Sequence, residues 1–131
     1  MAQQSKYFSR EEMQRLAQRA LGFSTADEAR VNIQSGVRGN TRFAVNQIST
    51  GGDVYDATLT FTSAFGKKVA SATTNRFDDE SLRQVVQTSE RLARLVPEDP
   101  EYLGELGPQQ YAEVAAWADA TAELSAEDRA R

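Results

Sequence analysis

Apolar residues along this chain repeat with two different periods, and each change of period marks a new element. Met13, Leu16, Ala17, Ala20 and Leu21 recur at helical spacing with charged residues between them, as one buried helix face requires. Ser9 and Glu12 form a capping-box pair ahead of this stripe, and Gly22 stands where a glycine stop belongs, so a helix over Arg10 to Leu21 is predicted. From Ala29 the repeat shortens to two. Val31, Ile33 and Ser35 alternate with Arg30, Asn32 and Gln34, the pattern of a strand with one wet face. Gly36-Val37-Arg38-Gly39-Asn40 reads as a turn, Arg42 to Ile48 as a second strand, and Ser49-Thr50-Gly51-Gly52-Asp53 as its break. The third strand is the clearest, with Ala57, Leu59, Phe61, Ser63 and Phe65 on one face and Thr58, Thr60, Thr62 and Ala64 on the other. Gly66-Lys67 then reverses the chain into a fourth strand over Lys68 to Thr74.

Helical spacing returns after Asn75. Asp78 or Asp79 is placed to cap a helix whose stripe is Leu82, Val85, Val86, Leu92 and Ala93, and Val96-Pro97 ends it, because a residue before proline is pushed out of helical geometry. Glu98 to Gly107 reads as an extended, proline-punctuated connector. Pro108 suits the first position of a third helix, with Tyr111, Val114, Ala115 and Ala118 as its apolar positions and Trp117 alongside. Ser125-Ala126-Glu127-Asp128 has the chemistry of another helix start, yet the chain stops at Arg131 before a stripe appears. Two readings stay open there: a solvated acidic tail, or a natural product that continues. The predicted fold is α+β, a two-layer sandwich with a four-stranded, mainly antiparallel sheet and helices packed on the Leu59/Phe61 face, in the order αββββα plus a C-terminal helix. The Thr-rich face is left for solvent or another domain.

Composition narrows the chemistry more than the fold. The 131 residues suit one domain, and 40% hydrophobic with 26% charged residues is an ordinary globular balance. The chain has no cysteine and no histidine, which removes thiolate nucleophiles, disulfides and the commonest general base and zinc ligand. Carboxylate chemistry and oxygen-ligated hard cations are what remain. A net charge of -4 with 15 dispersed basic residues argues against nucleic-acid binding, which rests on neutralising phosphates. Its apolar runs are far too short to span a membrane, and Met1-Ala2-Gln3-Gln4-Ser5-Lys6 adjoins no signal-peptide core, so a cytoplasmic location is expected.

Each motif has a structural explanation beside the functional one. Asp78-Asp79-Glu80 is explained by helix capping and dipole complementarity, and Glu98, Asp99 and Glu101 lack the spacing of a calcium loop. Gly36, Gly39, Gly51 and Gly52 form neither a dinucleotide fingerprint nor a phosphate loop and read as hairpin turns. No catalytic and no metal-binding residue is expected. Arg42, Asn46 and Arg76 are candidates for peptide or partner contact, against the commoner fate of cross-strand pairing. Tyr102, Tyr111 and Trp117 are candidate interface residues, because the two-layer core has little area left to cover them.

The stretch Gly39-Asn40-Thr41-Arg42-Phe43-Ala44-Val45-Asn46-Gln47-Ile48-Ser49-Thr50 resembles a strand segment near the start of TldD/PmbA proteins, often described as modulators of DNA gyrase. Phe65 to Asn75, Asp78 to Leu82 with the helix through Ala93, and Pro97 to Tyr102 follow in the family's order, so the resemblance covers roughly Ala17 to Tyr111. It implies a protein more than three times this long. Residues 1–96 would be its α/β N-terminal domain, and 97–131 a connector and helix leading toward an absent C-terminal domain. Zinc in that family is held in the C-terminal half by an HExxxH helix and a later cysteine, none of which exists here, so no catalytic residue carries over and no cofactor is expected in this chain. The implied partners are the chain's own C-terminal domain, a homo- or heterodimeric family subunit, and a peptide or unfolded-protein substrate. Some paralogues lack the zinc motif. The acidic charge routes any link to DNA transactions through proteolysis rather than contact with nucleic acid. The competing expectation is a stand-alone binding module whose sheet edge captures an extended peptide by strand addition.

Overall fold

The computed structural model describes residues 7–131, and the Met1–Lys6 segment, with the signal-peptide argument made on it, lies outside them. Helix α1 spans Arg10–Leu21, strands β1, β2 and β3 span Glu28–Ala44, Gln47–Phe65 and Lys68–Thr74, and helix α2 spans Asp79–Leu95. A single turn of helix, α3, covers Asp119–Ala122, and a 3₁₀ turn covers Asp128–Ala130. The three strands form one antiparallel sheet in the order β1-β2-β3.

Three strands therefore stand where four were expected, and the reason lies in the glycines. The segments read as two strands are continuous: Gly36, Gly39 and Asn40 sit inside β1, opposite Asp56, Asp53 and Gly52 of β2. The reversal falls instead at Val45-Asn46, whose φ angles of 53° and 57° make the two-residue turn that matches strand twist. Glycine weakens a strand without ending it when the partner strand continues to pair.

Both helix predictions at the core hold. Ser9 accepts from the Glu12 amide at 3.2 Å while the Glu12 carboxylate takes the Ser9 amide at 2.7 Å, a closed capping box. Asp78, rather than Asp79, caps α2 by accepting from the Ser81 amide at 3.0 Å. Leu16 and Ala20 of α1 and Leu82, Val85 and Val86 of α2 bury against Leu59 and Phe61. Full burial of Leu59 and Phe61 contributes about 2 kcal/mol each. Leu92, expected in the α2 stripe, is 39% exposed, and Ser89 is wholly buried in its place. Its hydroxyl reaches the Ser63 hydroxyl at 2.9 Å and the Ala70 carbonyl at 3.0 Å, so small polar side chains let the helix lie close on the sheet.

The third helix over Pro108 to Ala118 does not form. That stretch has no regular structure, and Tyr111 and Val114 are 86% and 78% exposed. A short helix needs a surface for its stripe, and none among the described residues meets this one.

On the opposite face, Thr60 and Thr73 share a hydroxyl contact of 3.0 Å and Thr62 and Ser71 one of 2.8 Å. At the Glu28 end of that face the connector is strapped down. Tyr102 donates to the Glu28 carboxylate at 2.8 Å, the Glu105 amide joins the same oxygen at 2.8 Å, and Arg30 pairs with Glu105 at 3.2 Å. Gly104, at φ +91°, makes this possible, since a Cβ there would stand 3.2 Å from a Glu28 oxygen. Thr62 and Ala64 are consequently buried, not left to solvent.

Candidate functional site

Strand β3 pairs only with Leu59 to Phe65, so β1 and β2 run on past it as a two-stranded ribbon. A lone ribbon is marginal in water and needs support from elsewhere. Val37, Phe43 and Ile48 continue the helix-side face of the sheet, because strand side chains alternate, while Arg38, Arg42 and Val54 face the other way. Pairing slips beside the tip: Arg42 faces Thr50 but Phe43 faces Ile48, which leaves Ser49 as a bulge whose hydroxyl donates to the Arg42 carbonyl at 3.2 Å. Phe43 is 76% exposed, Val45 95% and Val54 61%, a concentration of apolar surface unlike the rest of the sheet. A shallow depression of ≈ 330 Å³ on the outer face is lined by Gln34, Gly36, Arg38, Val54, Asp56 and Thr58.

The candidate contact residues do not meet in one place. Arg42 and Asn46 lie together at the ribbon tip. Arg76 follows β3, where its guanidinium stands 3.5 Å from the Asp78 carboxylate. Its strand ends opposite Leu59 and thus Ile33, roughly 30 Å along β1 from Arg42 at the usual rise per residue. The aromatics also separate. Tyr102 belongs to the connector strap, where burial and the bond to Glu28 push its phenol up to about 12. Tyr111 stands in solvent, and Trp117 meets the Tyr7 ring edge-on at 5.6 Å. Sequence reasoning missed Phe43, Val45, Ile48 and Val54 because the turn reading at the glycines broke the ribbon into pieces. Read continuously from Val31 to Phe43, odd positions alone would have revealed the helix-side face.

Beyond the missing histidine and cysteine, no group of three acidic side chains gathers among the described residues to hold a metal. Nor is any helix among them long and apolar enough to cross a membrane.

Residues 29–93 match the family model described as PmbA/TldA metallopeptidase domain 1. This chain belongs to the TldD/PmbA family, as its N-terminal domain. The matched stretch holds all of the three-stranded sheet and α2 up to Ala93, apart from the first residue of β1. Among solved structures, TldE from Thermococcus kodakarensis is similar in fold, with a TM-score of 0.73 at 18% identity over 88% of this chain. The likeness reaches past 29–93 into the flanking segments and covers 26% of the TldE chain, so this TldD/PmbA domain spans about a quarter of that relative. No curated protein sequence matches.

Proposed function

We propose that this chain is the non-catalytic N-terminal domain of a TldD/PmbA-type zinc metallopeptidase, and that it acts as scaffold, cleft wall or subunit contact for cleavage of peptides or unfolded proteins. The observation that carries the reading is the first-domain match in a chain with no histidine or cysteine. Zinc and the water it activates then belong to a C-terminal domain, and this domain contributes shape and contacts. The exposed apolar ribbon supports that division, because such a surface needs a partner. The partners on this reading are that catalytic domain, a homo- or heterodimeric subunit of the same family, and a peptide substrate, with neither nucleic acid nor membrane among them. Elemental analysis of the purified chain after dialysis against zinc, paired with a cleavage assay on an unfolded peptide, tests it. Less than stoichiometric zinc and intact peptide are expected, and retained zinc or cleaved peptide overturns the proposal.

A second reading is favoured by the sheet order, which leaves the outer edge of β1 without a strand among the described residues. A stand-alone module would add an extended peptide there by main-chain pairing. Amide shifts confined to the β1 edge from Arg30 to Arg38 on titration with unfolded peptides distinguish it, since a scaffold or cleft wall pairs no peptide along that strand.

A further inference from the structure

Residues 116–130 lie across the helix-side face of the ribbon and are held there by very little. Their main polar tie is Arg129, whose guanidinium pairs with Asp53 on β2 and donates to the Leu124 carbonyl at 3.0 Å. Gly39, directly opposite Asp53 in the ladder, leaves the gap that the guanidinium occupies, and a Cβ there would overlap it. Trp117 adds the edge contact with Tyr7. Between segment and ribbon runs a cleft of ≈ 470 Å³, walled on the ribbon by Gly36, Val37, Gly39 and Asp53 and on the segment by Trp117 and Leu124.

Three features make this contact releasable. The preceding stretch, 107–115, has no regular structure to hold the segment in place. Trp117 stays 66% exposed, so closure buries little apolar area. The Arg129 Nε is buried with no hydrogen-bond partner among the described residues, a cost that opposes closure.

We infer that the Val37–Gly39–Asp53 face of the ribbon is a docking groove for a short segment joining an aromatic residue to an arginine, and that residues 116–130 cover it as a releasable latch. Charge complementarity names the occupant: an aspartate on the ribbon, an arginine on the segment, and a glycine gap between strands that admits the guanidinium. Covered, the groove is closed to other chains. Released, it leaves Val37 on the same open face as Phe43 and Ile48. The inference is independent of the peptidase reading, because it requires neither zinc nor cleavage.

The test uses the full chain and a fluorescent peptide of residues 113–131, read by anisotropy. Arg129→Asp opens the latch but keeps Asp53, so this variant binds the peptide. Wild type binds it roughly tenfold more weakly, because a tethered segment competes at millimolar effective concentration. Asp53→Arg fails to bind the wild-type peptide and is rescued by a peptide carrying aspartate in place of Arg129, which also shows that the variant is folded. Equal binding of the wild-type peptide by all three proteins, no binding by Arg129→Asp, or absence of the charge-swap rescue overturns the inference.

Discussion

Glu90 sits on α2 with 6% of its surface exposed, yet it carries a charge into the core edge. Its carboxylate accepts from the Thr25 amide at 2.6 Å, the Thr25 hydroxyl at 2.8 Å and the Ser24 hydroxyl at 2.9 Å, so it organises the whole turn between α1 and β1. Burial works to raise its pKa, but these bonds and the nearby Arg94 outweigh it and hold the group below the usual carboxylate value. A depressed folded pKa stabilises the fold above the unfolded value and loses that contribution as pH falls through the folded one. Glu90→Gln should therefore lower stability near neutral pH by roughly 2 kcal/mol, and its acid-side decline in denaturation midpoint should be shallower than wild type's below about pH 4.5. Parallel decline of the two proteins with acid would refute the assignment. Gly104 offers a second residue-scale test. Gly104→Val meets both the positive φ and the Glu28 carboxylate, so the strap opens and the Tyr102 phenol should titrate near its ordinary 10 instead of about 12, as read by NMR of the ring.

Among the elements, the hairpin is the one most at odds with its own sequence. Val45 is β-branched and holds φ 53°, a region such residues rarely enter, and Asn46 alone suits the turn. Replacing the pair with Asn-Gly should stabilise the ribbon on the order of 1 kcal/mol, seen as slower amide exchange from Asn40 to Gly52 with an unchanged core. Faster exchange there would mean that the turn is of another type. Helix α2 shows the opposite balance, since cap and proline stop agree with its structure and Leu92 alone leaves the expected stripe. Where local signals agree with one another, an element was legible in advance, as with both core helices and the Leu59/Phe61 strand. Where glycines and the helical spacing near Tyr111 pulled against tertiary partners, it was not.

Taken whole, the molecule has a solid root and a light arm. The root is α1, α2, β3 and the parts of β1 and β2 they cover, and the arm is the ribbon with its latch. Hydrogen exchange should divide accordingly, with amides from Leu59 to Phe65 protected at least tenfold more than those from Arg38 to Val54. Uniform protection would show that the ribbon unfolds only with the core.

By itself the sequence determined the two core helices, the strand that anchors them, the α+β layering and the absence of histidine and cysteine chemistry, because each depends on local periodicity or on residue identity alone. Tertiary structure decided the number of strands, the failure of the third helix, the strapping of Tyr102 to Glu28 and the meeting of Arg129 with Asp53. Those outcomes turn on which distant residue arrives to pair, bury or crowd a site: Asp56 opposite Gly36, none of the described residues covering Tyr111, a carboxylate beside Gly104. No spacing along the chain encodes such arrivals, because their free energy belongs to contacts made only after the layers have closed.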